Sequence, residues 1–154
     1  MTTTSAKTAL VAAALLCCGV AAYAAAPTET IAARQANFKE IGKGMKAVID
    51  QIKSPTPSLD AIKAGAAAID QGAPKVAGYF PKGTGPEAGV KTGALPAIWQ
   101  KPAEFKADTA KFVQAAAALR AAANSGNIDA VKAKFMELGG TCKECHQNFR
   151  AREN

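Results

Sequence analysis

The sequence predicts an all-α protein, an antiparallel up-down-up-down four-helix bundle. Three observations support this fold class. Apolar residues recur at alternating steps of three and four in four separate segments, the connections before the second and fourth segments are short, and no stretch of any length shows a β-pattern. Short connections place consecutive helices side by side and antiparallel. The 154 residues suffice for one domain with a core, which we predict over residues 25–154.

The first two helices are predicted from their apolar stripes. In the first, Ile31, Phe38, Met45 and Ile52 form one row, and Ile41 and Val48 form a companion row that also contains Arg34. The second helix begins after Pro57, with Ser58 as its N-cap. Its stripe consists of Leu59, Ile62, Ala66, Ile69, Ala73, Val76 and Phe80.

A long connection and two further helices follow. Residues 81–96 are rich in glycine and proline, which excludes a regular helix or strand there. The third helix has Pro102 in its first turn and a stripe of Phe105, Phe112, Ala116, Leu119 and Ala123. The fourth helix is entered through Gly126 and Asn127, and its stripe consists of Ile128, Val131, Phe135, Leu138, Cys142, Cys145 and Phe149.

The N-terminal segment has the layout of a secretory signal peptide. Lys7 precedes an apolar run at residues 9–16, and Ala-Tyr-Ala at residues 22–24 is typical of a cleavage site. A transmembrane anchor is the alternative, but the run is shorter than the roughly 20 residues that a span requires. We therefore expect residues 1–24 to be removed, a periplasmic location, and no membrane anchor after cleavage.

Cleavage at this site leaves a basic protein with a net formal charge of +6. Such a charge favours encounters with acidic partners. The lysines are scattered along polar helix faces, and no aromatic-basic platform accompanies them. We therefore expect no binding to nucleic acid.

The fourth helix contains a Cys-x-x-Cys-His pattern, formed by Cys142, Cys145 and His146. This pattern is typical of covalent attachment of a c-type haem. The two thiols add to the two vinyl groups on one edge of the haem, and a neutral imidazole then reaches the iron. Cys142 and His146 are four residues apart, so they share a helix face, with Cys145 beside them. We predict one covalently attached haem c with His146 as the metal ligand.

Other interpretations of the two cysteines fit less well. A thioredoxin-like redox pair requires a βαβ context, which the sequence lacks. A structural zinc site requires about four ligands, and the mature chain has two thiols and one histidine. A disulfide between residues three apart within a helix is strained. Chance occurrence remains, but the one histidine of the sequence, His146, occupies the fifth position of the motif.

The chain resembles class II c-type cytochromes and, within that class, cytochromes c prime. Three features carry the resemblance: Arg34 and Gln35 early in the first helix, Pro-Ala-Ile-Trp at residues 96–99, and the haem motif close to the C-terminus. Class I cytochromes c carry that motif near the N-terminus instead. The resemblance covers the whole mature chain.

The resemblance implies that Phe38 faces the sixth coordination position of the iron. Low-spin members of the class have methionine there, and phenylalanine cannot ligate iron. A five-coordinate, high-spin haem with an apolar distal pocket is therefore implied. Phe38 as a simple core aromatic is the alternative interpretation. Met45 is the rival sixth ligand, but it lies about 10.5 Å further along a straight helix, so both residues cannot stand over one iron.

The resemblance also assigns roles to other residues near the haem. Arg34 lies on the apolar stripe, where a charge is costly unless an anionic group meets it, and the family places this arginine and Gln35 near a haem propionate. A solvated position near the helix end is the alternative for Arg34. Arg150 matches the family arginine over the proximal haem face, with a surface cation at a helix C-terminus as the alternative. Phe80 and Trp99 are expected near the haem edge.

Two classes of function follow. One is the binding of small gases, nitric oxide and carbon monoxide, and the other is single-electron transfer with redox partner proteins. The alternative is a six-coordinate, low-spin electron carrier with Met45 as the axial ligand. We expect no enzymatic activity, because the sequence shows neither a general base nor a second metal site. A homodimer through the first two helices is expected by analogy alone.

Overall fold

The computed structural model describes residues 26–152, so the predicted signal peptide at residues 1–24 lies outside the described range. The helices are α1 (Pro27–Ile52), α2 (Leu59–Gly72), the short α3 (Ala97–Gln100), α4 (Pro102–Ser125) and α5 (Ile128–Phe149). α1 packs on α2, α2 on α4, and α4 on α5. The predicted four-helix bundle is confirmed, with α1, α2, α4 and α5 as its members.

Local sequence signals determine where the long helices begin. Ser58 is the N-cap of α2, and its Oγ accepts a hydrogen bond from the amide of Ala61 at 3.3 Å. Asn127 is the N-cap of α5, and its Oδ1 accepts from the amides of Asp129 and Ala130 at 3.0 Å each. Gly126 adopts φ 72°, which ends α4 and allows the tight turn into α5. The predicted starts of these helices are confirmed.

The prediction that the second helix continues to Phe80 is wrong in its last third. α2 ends at Gly72, and a 3-10 helix follows at Ala73–Tyr79. Pro74 accounts for the change, because proline has no N–H to donate and its ring clashes with the carbonyl four residues earlier. Ala73 and Val76 are nevertheless buried, as the stripe predicts.

The core lies between the four long helices. It contains the fully buried residues Val48, Ile62, Ala66, Ile69, Ala116, Leu119, Ala123, Val131 and Leu138. The companion row of α1 is buried: Ile41 and Val48 belong to this core, and Arg34 is buried outside it. Phe38 and Met45, from the other row, face a cavity described below.

α1 and α2 approach closely where two glycines meet. A Cβ atom at Gly44 would lie 2.7 Å from the carbonyl oxygen of Gly65, and a Cβ at Gly65 would lie 2.9 Å from that of Gly44. Both distances are shorter than van der Waals contact, so only glycine allows this approach.

The connection between α2 and α4 folds back onto the end of α5. The amide of Leu95 donates to the carbonyl of Phe149 at 3.0 Å, and the amide of Ala151 donates to the carbonyl of Gly93 at 2.8 Å. These bonds form a single antiparallel bridge between Ala94 and Arg150. We call residues 92–95 the strap.

No helix within residues 26–152 combines the length and the apolar character that crossing a bilayer requires.

Candidate functional site

A cavity of about 660 Å³ opens between α1, α4, α5 and the strap. Its wall is mostly apolar, with aromatic and aliphatic side chains from all three helices. These include Phe38, Ile41, Met45, Phe105, Phe112 and Phe149. A largely apolar cavity of this size, with a few polar groups, is typical of a site for a cofactor or small molecule.

The Cys-x-x-Cys-His motif lies on the α5 wall of this cavity. Cys142, Cys145 and His146 all line it, because one turn of helix places them on a shared face. Both thiols are free and half-buried. Burial raises the pKa of Cys145 to about 11, and the nearby charge of Asp108 adds to this effect. Burial also raises the pKa of Cys142, so both thiols are protonated at neutral pH.

His146 lines the cavity and is exposed to solvent. Burial lowers the pKa of His146, and the positive charge of Arg150 lowers it further. The imidazole is therefore held towards its neutral form, which is the form that coordinates a metal ion.

Arg34 projects from α1 and is 3 % exposed. Its two terminal nitrogens donate to the carbonyls of Tyr79 and Thr84 and to the hydroxyls of Thr84 and Thr92. The guanidinium also lies 4.5 Å from the ring centroid of Phe80. Burial lowers the pKa of Arg34, but a guanidinium is not deprotonated in proteins.

The charge of Arg34 has no counter-ion within the described part of the chain. No carboxylate in residues 26–152 forms an ion pair with it. Its Nε has no hydrogen-bond partner in the same range, and the side chain lines the cavity. A buried cation without an anion favours a negatively charged group of a bound molecule.

A family model described as Cytochrome C' matches residues 29–150, which include α1 from its third residue, the whole of α2 to α5, and the cavity wall. The chain belongs to the cytochrome c' family. It is 37% identical over 127 residues to cytochrome c' of Pararhodospirillum photometricum, an alignment that covers 82% of this chain and 99% of the relative. This membership confirms the resemblance seen in the sequence.

Solved cytochrome c' structures have the same fold. The crystal structure from Thermochromatium tepidum superposes with a TM-score of 0.79 at 30% identity, covering 83% of this chain and 98% of the other. A nitric oxide complex of a mutant cytochrome c prime from Alcaligenes xylosoxidans superposes with a TM-score of 0.74 at 26% identity, again covering 83% and 98%.

Cytochromes c' carry a single covalently bound c-type haem, as predicted for this chain. The cavity fits that group in three respects. It presents two thiols and an imidazole on one helical turn, its wall is mostly apolar, and its charged side chains, Arg34, Lys39 and Arg150, are all basic. Basic groups suit the two propionates of a haem.

The remaining residues predicted for the cytochrome c' site fall into two groups. Gln35, Phe38, Phe80 and Arg150 line the cavity. Gln35 also donates through Nε2 to the carbonyl of Lys91 at 2.9 Å. Trp99 does not belong to the wall; its ring lies behind Phe80, with centroids 6.3 Å apart.

Trp99 instead supports the wall from behind. Its Nε1 donates to the carbonyls of Phe80 and Pro81 at 3.0 and 3.2 Å. Phe80 in turn meets Phe105 edge to face, with centroids 4.9 Å apart. Trp99 thereby fixes the backbone that carries Phe80.

The polar residues of the wall that sequence reasoning missed include Thr92 and Thr109. Thr92 accepts the shortest of the Arg34 hydrogen bonds, at 2.7 Å. Neither threonine has a sequence signal, because Thr92 lies in an irregular segment and Thr109 on a helix whose stripe does not include it.

Proposed function

We propose that this cytochrome c' is a periplasmic haem protein with a five-coordinate, high-spin iron that binds nitric oxide and carbon monoxide and transfers single electrons. The observation that carries the proposal is the position of Phe38. It projects from α1 into the cavity that His146 lines from α5, and it is 38 % exposed. An exposed phenylalanine on a cavity wall suits contact with an apolar ligand. Its side chain has no atom that can coordinate iron.

The residues on the wall have distinct roles in this proposal. Cys142 and Cys145 would hold the haem through thioether bonds, and His146 would coordinate the iron. Arg34, whose Nε–H remains available, and Gln35 would meet a propionate. Arg150 would lie on the proximal side, because it lines the cavity together with His146 and acts on its pKa.

A c-type haem supplies an iron that changes between ferrous and ferric states and, when five-coordinate, binds a diatomic gas. The residues of the chain select which ligands reach the iron. Phe38, Ile41 and Met45 form an apolar patch on the α1 side of the cavity, which disfavours polar ligands at that patch. The nitric oxide complex of a related cytochrome c prime supports gas binding as the distinctive capacity. No residue on the wall is proposed to catalyse turnover of a substrate.

One spectroscopic experiment tests this proposal. The ferrous protein should show a high-spin, five-coordinate spectrum that shifts when carbon monoxide or nitric oxide is added. A low-spin spectrum with a methionine-to-iron charge-transfer band would contradict the proposal. That outcome would favour the alternative, a six-coordinate electron carrier with Met45 as the axial ligand, because Met45 also lines the cavity.

Export and haem attachment are tested by the mass of the secreted protein. We expect an N-terminus after Ala24 and a mass larger than the mature polypeptide by one haem. Replacing both Cys142 and Cys145 by serine should remove the added mass. A colourless product from a host with the haem-attachment machinery would rule out the cofactor at this site.

We also propose a homodimer through α1 and α2. One solved cytochrome c' with 28% identity and a TM-score of 0.77 is described as having ligand-controlled dimer dissociation. In this chain Leu59, at the start of α2, is 38 % exposed, which suits an apolar contact. Sedimentation that shows only monomer at high concentration, with and without carbon monoxide, would contradict the dimer.

A further inference from the structure

The strap connects two arginines of the cavity wall, Arg34 on α1 and Arg150 directly after the end of α5. At its first residue, Thr92, the hydroxyl oxygen accepts a 2.7 Å hydrogen bond from Arg34. The same oxygen accepts from the amide of Ala94 at 3.2 Å, which fixes the orientation of the hydroxyl relative to the strap. Thr92 therefore holds α1 and the strap together.

The other end of the strap is bonded to the residues that flank Arg150. Leu95 donates to the carbonyl of Phe149, and Ala151 donates to the carbonyl of Gly93. Gly93 also lies against Arg150, because a Cβ atom there would be 3.7 Å from the Cγ of Arg150. The backbone around Arg150 is thus set by the strap as well as by the end of α5.

The other hydrogen bonds of Arg34 do not involve the strap. They end on the carbonyl of Tyr79 and on the carbonyl and hydroxyl of Thr84, all earlier in the connection. Without the Thr92 hydroxyl, Arg34 would keep these acceptors and remain buried. The specific loss would be the link between Arg34 and the strap.

We propose that Thr92 is a positioning residue, which ties Arg34 to the strap and thereby fixes Arg150 beside His146. This inference rests on the proposed function, since it concerns the two arginines assigned to the haem propionate and the proximal side. Thr92 touches neither thiol nor imidazole of the motif in this scheme. It acts through the two arginines.

The test compares Thr92→Val with three further variants of the haem-loaded protein. Valine has the shape of threonine but accepts no hydrogen bond. Thr92→Ser restores the hydroxyl. Thr84→Val is the matched control, because it removes another hydroxyl acceptor of Arg34 and leaves the strap bonded to Arg34. Thr92→Ala gives the same comparison without the valine methyl groups, should these prevent folding.

Two measurements report on the strap and on the proximal side. Amide hydrogen exchange at Leu95 and Ala151 should become roughly threefold to tenfold faster in Thr92→Val, the change expected for one lost hydrogen bond. The iron–histidine stretching frequency of the ferrous protein should shift in the same variant. Both should return to wild-type values in Thr92→Ser and stay unchanged in Thr84→Val.

The outcomes separate this inference from the proposed function. Unchanged exchange and an unchanged frequency in Thr92→Val would overturn the role of Thr92, while the wild-type protein would still bind gas. Equal effects in Thr84→Val and Thr92→Val would also overturn it, because burial of Arg34 rather than the strap would then matter. A wild-type chain without attached haem would instead contradict the proposed function.

Discussion

Phe38 and Met45 lie seven residues apart on α1, and both line the same cavity. This spacing corresponds to about 10.5 Å along the helix, so the two side chains occupy different places on the wall. The proposed function assigns the place over the iron to Phe38. Met45→Leu should then leave the optical spectrum unchanged, since leucine has a similar volume. Conversion from a low-spin to a high-spin spectrum in this variant would identify Met45 as a ligand.

Truncation of Phe38 should make the gas site more accessible. Steric crowding by a bulky side chain costs about 1–3 kcal/mol, so Phe38→Ala should bind carbon monoxide roughly tenfold to a hundredfold more tightly. Titration of the ferrous protein with carbon monoxide measures this change. Phe112→Leu, on the α4 part of the wall, serves as the comparison. Equal affinities in wild type and Phe38→Ala would show that Phe38 does not screen the site.

The contact between Gly44 and Gly65 predicts a large effect of one methyl group. Gly44→Ala should lower the free energy of unfolding by about 1–3 kcal/mol, because the new Cβ meets the carbonyl oxygen of Gly65 and α1 must move away from α2. Gly140→Ala is the control, since no atom lies within 4 Å of a Cβ there. It should stabilise α5 by about 0.5–1 kcal/mol through its higher helix propensity. Denaturant unfolding of both variants checks the opposite signs.

Lys111 links α4 to the haem motif, and the strength of this link should depend on pH. Its Nζ lies 2.9 Å from Glu144 and 3.6 Å from Asp108, and Glu144 belongs to the Cys-x-x-Cys segment. The pKa of Lys111 is raised, first by Glu144 and then by Asp108. Because the pKa of Lys111 is higher in the folded than in the unfolded chain, its protonated form stabilises the fold at pH values below the unfolded pKa of 10.5. This stabilisation is lost as the pH rises through the folded-state pKa.

Lys111→Met should therefore melt at a lower temperature than wild type at pH 7 to 9, with a difference that shrinks above pH 10.5. Lys106→Met is the matched control, because Lys106 lies on the same helix and forms no ion pair with any residue in the range 26–152. The effect should be small, since Lys111 and Glu144 are both about half exposed. A pH-independent difference would show that lost packing, and not charge, is responsible.

The bundle was predicted from stripes that run along whole helices, and the finer features predicted correctly depend on signals within one turn of helix. Ser58 and Asn127 indicate where α2 and α5 begin, and the spacing of Cys142 and His146 places them on one face of α5. Pro74 carried the same kind of local signal, and it explains the end of α2 that the stripe obscured. The apolar stripe continues past the end of α2 into the 3-10 helix, where Ala73 and Val76 are still buried. Periodicity alone therefore does not reveal where the α-helix ends.

The features that could not be predicted depend on contacts between distant segments. Arg34 bonds to residues 45 to 58 positions later in the chain, and two of its acceptors are backbone carbonyls, which every residue possesses. The sequence therefore indicated that Arg34 requires a partner but did not identify Tyr79, Thr84 and Thr92. The bridge between Ala94 and Arg150 is hidden for the same reason, since its hydrogen bonds are between backbone groups.

The cavity wall joins the two ends of the described chain. Arg34 and Phe38 stand near one end, and His146 and Arg150 stand near the other. Any molecule held by both groups closes a loop of roughly a hundred residues, and in an unfolded chain such closure has a substantial entropy cost. Haem bound to both groups would therefore hold α1 against α5, and its contacts would offset part of this cost. Among the four long helices, a chain matured without it should show its fastest hydrogen exchange in the first half of α1, while the paired α4 and α5 stay protected.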